Sequence, residues 1–420
     1  MKKISVFTGI LCFCITACVK DKRHSEDEGN AISTTATSRE PKPIAAPVVQ
    51  WQKCIGTSFN DYGYDVTKAL VGSGYFISGT SENSSGVRDV LVAKIDITGS
   101  FLWQHSFGGT GNDEGISVAP VTGGGCIVAA KTTSNDGDVQ GNKGGSDIWL
   151  LHVSGTGTLV KSKTFGGSGF EISGQIIATS DGGYMVAGET TSNDGDLAGS
   201  GTTKGRGWII KLDTAINILW QKTLDVSTSK DDIVYGIAET ASHTFALTGR
   251  SLGFDNNADI WAASFDRDNV YWNKTFGSVG SDVGFEIVTS QTNGIDDGFV
   301  IAGYIGLEAS ATKLDLDGTD VWQKTFKPGT SMARGRSIVS TANEYVITGD
   351  NTGDMLIWRL GKDGTQLNGT TIGGGKNDNS YHTIATDDGK YLSVGSTAST
   401  NGIVSGNHGL SDMWLVKFSF

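Results

Sequence analysis

The 420-residue chain has little proline, cysteine or histidine: five, five and six residues. Three of the cysteines, Cys12, Cys14 and Cys18, fall in the first eighteen residues. Only Cys54 and Cys126 remain for the body, which excludes a disulfide-stapled scaffold. A whole repeat separates these two, so each is expected to be a buried small apolar residue. The histidines (His24, His105, His152, His243, His382 and His408) never pair at metal-ligand spacing, and Cys-x-x-Cys is missing, which excludes the familiar zinc patterns. There is no Gly-x-Ser-x-Gly elbow and no phosphate-cradling Gly-Lys-Ser/Thr loop. Positive charge is in deficit, 33 Lys and Arg against 45 Asp and Glu. Such a chain repels polyanions, which excludes nucleic acid as the main partner. The uncharged run Ile4 to Ile15 is too short to span a bilayer.

That run follows Lys2 and Lys3, the layout of a secretory signal peptide. Ile15-Thr16-Ala17-Cys18 comes next and resembles the bacterial lipobox. The resemblance implies cleavage before Cys18 and lipid attachment to it. Several acyl chains, at about 0.8 kcal/mol per buried CH₂, hold a protein firmly to a membrane. Val19 rather than an acid follows the cysteine; similarity to Gram-negative lipoproteins then implies the outer membrane, on its periplasmic or cell-surface side. Loss of residues 1–17, with two lysines and no acid, takes the formal charge from −12 to −14. Residues 18–47 read as a tether. They are charged from Lys20 to Glu28, then rich in Ser, Thr, Ala and Pro, a composition that stays extended. The charged run also fits a surface-export signal. The expected organisation is a signal peptide at 1–17, a flexible tether at 18–47 and a folded body at 48–420.

Glycine is abundant, with 60 residues, which means many tight turns and few helices. A unit of about 53 residues recurs. It contains an apolar strand after Asp-Gly-Gly-Tyr, a long polar loop, an Asp-Ile-Trp strand, a Lys-Leu-Asp-x-x-Gly turn and Trp-Gln-Lys-Thr-Phe-Gly-Gly. Its second and third strands each occur seven times. Its fourth strand occurs six times in order, at Leu102–Phe107 and onward, and the seventh copy, Val49–Ile55, stands at the other end of the body. The last unit stops at its third strand, Asp412–Ser419. An N-terminal strand that completes the last sheet closes a ring and leaves no open edge. The expectation is an all-β seven-bladed β-propeller of four-stranded antiparallel blades. A stacked solenoid would need polar caps, and none is visible.

All ten tryptophans fall on repeat positions. Trp51, Trp103, Trp220, Trp272 and Trp322 share one place in the fourth strand. Trp149, Trp208, Trp261 and Trp414 share one in the third, and Trp358, two residues along, faces the same way. They are expected to pack between blades, which leaves no tryptophan for a sugar platform.

The long loops between second and third strands (131–146, 190–206 and 396–411) and between blades (108–115, 225–235 and 327–334) should emerge on one face. Function tends to reside on such loops. Two of them repeat Ser-Asn-Asp-Gly-Asp, with Asp136 and Asp138 in one and Asp194 and Asp196 in the other. These carboxylates are Ca²⁺ candidates, although a distal bidentate acid is missing and Asn and Asp beside Gly also form ordinary turns. The recurring acids Asp61, Asp113, Glu171, Asp282 and Asp378 are expected to hydrogen-bond to turns. Arg334 and Arg336 fall where that acid is missing and are candidates for an anion contact in a loop.

The units Trp-Gln-Lys-Thr-Phe-Gly-Gly, Asp-Gly-Gly-Tyr-Met-Val-Ala-Gly and Ser-Asn-Asp-Gly-Asp resemble a repeat of secreted and surface propeller lipoproteins, over residues 49–420. Lys94-Ile95-Asp96-Ile97-Thr98-Gly99 with Trp103 is similar to the tryptophan-docking motif of quinoprotein-like propellers. That superfamily includes quinone-dependent dehydrogenases with eight blades and a vicinal disulfide, and a lipoprotein scaffold of outer-membrane assembly. The dehydrogenase features are missing here, so the resemblance implies fold and export without a cofactor. The expected function is a non-catalytic binding or scaffold propeller at the cell envelope, gripping a protein or glycan with its long-loop face. The alternative is a glycan-active hydrolase or lyase with acidic residues at the channel mouth. Expected partners are the membrane, through the anchor, and a protein or glycan, with the chain a monomer.

Overall fold

A computed structural model describes residues 46–199, 204–226, 231–252 and 257–420. Cys18, the signal peptide and nearly all of the tether lie outside the described residues. The body is a ring of seven sheets, each of four antiparallel strands: a seven-bladed β-propeller. Blades 1 to 7 begin with the inner strands Asp61–Lys68, Asp113–Pro120, Glu171–Ala178, Asp232–Glu239, Asp282–Thr292, Ala333–Ser340 and Asp378–Ala385.

Burial follows position in the sheet. The second and third strands are covered on both faces by neighbouring blades and are largely apolar, as in Tyr184–Thr190 and Arg206–Leu212, where every residue is buried and the polar side chains sit at or near the strand ends. Outermost strands alternate or face solvent, as in Phe101–Phe107. An apolar cluster fills each wedge between successive blades. The cluster between blades 7 and 1 joins Leu392, Met413 and Leu415 to Val66, Ile77 and Leu91.

Closure occurs where the repeat offset places it. Strand Val48–Ile55 pairs antiparallel with Asp412–Ser419, Val48 opposite Ser419 and Ile55 opposite Met413. The Trp414 indole N–H donates to Gln52 Oε1 at 3.0 Å across that pairing. The termini of the body thus share one sheet, and no third-strand edge is left open.

The tryptophans pack as their spacing implies. Trp149, Trp208, Trp261, Trp358 and Trp414 are fully buried in the wedges. The fourth-strand residues are part-buried and lie against turns of the next blade: Trp103 Nε1 donates to Gly155 O at 3.0 Å and Trp272 Nε1 to Leu316 O at 2.9 Å. Gly157 shows why that turn needs glycine. Its φ is +89°, and a Cβ there would lie 2.5 Å from the His105 ring.

The repeat acids are fully buried and hold the turn before their own strand. Asp113 accepts the Gly109 N–H at 2.9 Å and the Ser134 hydroxyl at 2.7 Å. Glu171 accepts the Gly167 N–H at 2.9 Å. Asp232 belongs to the same set and accepts the Val226 N–H at 2.8 Å. Cys54 and Cys126 are free thiols, half-buried and buried.

Candidate functional site in the central channel

Every inner strand carries a β-bulge at the same place, three residues after the repeat acid or its Ala333 substitute. The bulges set Tyr64, Ile116, Gly174, Tyr235, Phe285, Arg336 and Tyr381 around the channel. A bulge re-aims a side chain and breaks the ladder locally, so a backbone N–H loses its partner.

The next residue in each strand is Asp65, Ser117, Gln175, Gly236, Glu286, Ser337 or His382, and in five of the seven blades its side chain takes up such an N–H of the following blade. The Val118 N–H donates to Asp65 Oδ2 at 2.8 Å, Ile176 N–H to Ser117 Oγ at 3.1 Å and Ile237 N–H to Gln175 Oε1 at 2.8 Å. The Ile338 N–H donates to Glu286 Oε2 at 2.7 Å and Thr383 N–H to Ser337 Oγ at 3.0 Å. Each bond crosses from one blade to the next, so the residues form a polar belt. Gly236 interrupts it: a Cβ there would fall 2.9 Å from the Phe285 carbonyl oxygen.

His382 completes the floor. Its Nδ1 lies 2.6 Å from Asp65 Oδ1 and its Nε2 3.1 Å from Glu286 Oε1. Burial alone would depress the imidazole pKa. The charges of Asp65 and Glu286, and hydrogen bonds to them, outweigh burial and hold it well above the ordinary 6.5, so the ring is an imidazolium at neutral pH.

Above this floor, on the side of the repeat acids, sits a cup of about 270 Å³. Its wall is an arc of π contacts. Tyr62 and Tyr64 stack with centroids 6.2 Å apart, and Tyr64 meets Tyr381 edge-on at 5.2 Å. The Arg336 guanidinium lies 5.1 Å from the Tyr381 ring and 5.0 Å from that of Phe285. Phe285 in turn meets Tyr235 at 5.7 Å. Ile116, Ile172 and Gly174 line the opposite side. Burial pushes the Tyr64 and Tyr235 phenols above their usual pKa, so both are neutral hydrogen-bonding groups. Below the floor a second cavity, about 350 Å³, opens toward the short turns.

Sequence-predicted residues divide around this site. Arg334 and Arg336 are not in a loop, as expected from the missing acid. They lie on the inner strand Ala333–Ser340, because Ala333 takes the acid's place without breaking the strand. Both grip Asp350: Arg334 Nη1 is 3.1 Å from Oδ2, and Arg336 Nε donates to Oδ1. Asp136, Asp138, Asp194 and Asp196 lie away from the cup and accept backbone N–H groups. The Thr110 N–H reaches Asp136 at 2.8 Å, Gly108 N–H Asp138 at 3.2 Å, Ser168 N–H Asp194 at 2.7 Å and Gly166 N–H Asp196 at 3.0 Å. The Ser-Asn-Asp-Gly-Asp loops thereby tie themselves to the preceding blade-to-blade turns. No group of three or more potential metal ligands occurs among the described residues.

The acids facing the cup are occupied. Asp65 also accepts the Val66 N–H at 2.7 Å and the Ser117 hydroxyl at 2.5 Å. Glu286 spends one oxygen on Ile338 and the other on His382. Asp65 is thus engaged through both oxygens by backbone N–H groups, a hydroxyl and His382, and each Glu286 oxygen has one partner.

Sequence reasoning missed the aromatic arc and the belt. Their signal was a fixed offset of three and four residues from the repeat acid, visible once the inner strands are aligned.

Comparison with known proteins agrees on the fold. The propeller of Dos1 is similar at a TM-score of 0.50 and 12% identity, covering 88% of this chain and 95% of that one. Sqt1 from Chaetomium thermophilum is similar at 0.50 and 12%, covering 89% and 100%. A chain of the COPII coat assembled on membranes is similar at 0.52 and 9%, covering 84% and 46%. No family model and no curated protein matches the sequence. The class these likenesses define is the β-propeller, and at such identities they define nothing narrower.

Proposed function

We propose that this protein is a lipoprotein of the cell envelope, anchored to the outer membrane through Cys18, whose propeller binds a protein or glycan partner without catalysis. The cup at the mouth of the channel is the binding site, and the long loops around it form the rim. One observation carries this reading: the wall position is Tyr, Ile, Gly, Tyr, Phe, Arg and Tyr in successive blades. The repeat acids and tryptophans keep one chemistry from blade to blade, and most members of the belt keep a hydrogen-bond acceptor, whereas the wall position keeps neither. A lining position that varies around a regular frame is set by what it touches, and aromatic residues with arginine are the usual anchors of binding surfaces. The occupied state of Asp65 and Glu286 favours binding over hydrolysis at this mouth.

Two measurements test it. Metabolic labelling with palmitate should mark the wild-type chain and fail with Cys18→Ala. Envelope material captured by the immobilised protein should be lost with Tyr381→Ala and kept with Asp136→Ala. Capture indifferent to Tyr381 and dependent on the loop would contradict the cup.

A further inference from the structure

We infer that the cup holds one uncharged pyranose ring, the terminal sugar of a neutral glycan. This rests on the cup being the binding site and adds the chemistry of what enters it.

Charge comes first. The ionised groups at the cup cancel within hydrogen-bonding distance of one another. His382 stands between Asp65 and Glu286 at 2.6 and 3.1 Å. Arg336 and Arg334 share Asp350, with Arg334 at 3.1 Å from it. The four charges lining the cup, two carboxylates, one imidazolium and one guanidinium, sum to zero. An anionic ligand would have to draw Arg336 from Asp350 and from two aromatic faces. A cationic one would have to compete with backbone N–H groups and His382 for the carboxylates. Uncharged ligands face neither cost.

Shape and polarity follow. At about 270 Å³ the cup lies just below the usual range of ligand pockets, roughly 300 Å³ upward, and Glu286 and His382 stand between it and the cavity below. The cup admits the end of a chain, one ring at a time. Tyr64, Phe285 and Tyr381 line the cup, and whatever ring surface Arg336 and Tyr62 leave uncovered suits the C–H face of a sugar through its negative quadrupole. Gln175, Tyr64 and Tyr235 line the same cup and bring neutral hydrogen-bonding groups, the Gln175 amide N–H and two phenols, for edge hydroxyls. A flat apolar face bounded by hydroxyls is the pattern of a pyranose.

The test is calorimetric titration of the full chain with three sets of ligands: neutral gluco-, galacto- and manno-oligosaccharides, oligo-uronates, and short proline- or tyrosine-containing peptides. The expected result is binding of a neutral oligosaccharide that changes less than twofold between 50 and 500 mM salt. Phe285→Leu, which keeps an apolar side chain and removes the aromatic face, should weaken it at least tenfold while the far-ultraviolet spectrum stays unchanged. Tyr381→Phe should weaken it less than Tyr381→Ala. Preference for uronates with steep salt dependence, or for the peptides, overturns the neutral sugar yet keeps the cup, provided Phe285→Leu abolishes it. Neutral-sugar binding that survives both Phe285→Leu and Tyr381→Ala overturns the cup as well. No binding of any neutral oligosaccharide also overturns the inference.

Discussion

His382 and Glu286 meet across the floor of the channel, imidazole Nε2 to carboxylate Oε1 at 3.1 Å, although blade 6 separates their blades. With Asp65 on the far side of the imidazole, one cation ties blades 7, 1 and 5 at the level where the ring closes.

This contact makes stability pH-dependent with a definite sign. The folded pKa of His382 is raised above the unfolded value of 6.5. Its contribution is therefore fully present below about pH 6.5 and is lost as pH rises through the folded pKa. Urea midpoints should fall from pH 6 toward alkaline pH in the wild type. In His382→Ala that slope should shrink, and at pH 6 the variant should lose on the order of 3–5 kcal/mol, because two buried carboxylates lose their cation.

A second titration involves an acid. Asp147 is fully buried, its Oδ1 has no hydrogen-bond partner among the described residues, and burial raises its carboxyl to about 6 despite the Lys143 N–H and ammonium nearby. The folded pKa again lies above the unfolded 3.8. The protonated form is the favoured one, and its contribution disappears as pH rises from about 4 through 6. Asp147→Asn should raise stability at pH 7 by on the order of 1–3 kcal/mol and leave it nearly unchanged at pH 4. Urea unfolding of both proteins at the two pH values checks this.

The closing strand should respond to a covalent staple. Val48 and Ser419 are register partners near the ends of the body. A disulfide between Val48→Cys and Ser419→Cys would close a loop spanning nearly the whole body, where chain-entropy estimates exceed about 4 kcal/mol. Oxidised protein should melt higher than the same protein in reductant. Deleting residues 48–55 should expose the edge of Asp412–Ser419 and cause aggregation, read by light scattering.

The tight turn under Trp103 gives a local prediction. Gly157→Ala places a side chain at φ +89° and against His105, so it should cost about 1–3 kcal/mol. Gly182→Ala, with φ +87° and open space around it, should cost less. Paired denaturant curves would show the difference.

How far the sequence could be read follows from which positions repeat. Tryptophans, Asp-Gly-Gly turns and strand-start acids recur because each wedge between blades poses the same packing problem. Blade count and closure were therefore legible. The inner strands were harder. Their wall position changes from blade to blade, and the belt position passes through Asp, Ser, Gln, Gly, Glu, Ser and His, which share only the ability of most to accept a hydrogen bond. No residue type marks either ring. Blade 6 added a trap: with Ala333 in place of the acid, Arg334 and Arg336 lost their frame and read as loop. Tyr235 was likewise assigned to the end of a loop, although it sits mid-strand in Asp232–Glu239.

The most direct test of where this protein binds is hydrogen–deuterium exchange of the mature chain, with and without its captured envelope ligand. Protection should appear on the inner strands around Tyr64, Phe285, Arg336 and Tyr381, with the loops at 133–146 and 190–199 little changed. Protection confined to those loops, with the inner strands unaltered, would contradict a binding site in the channel.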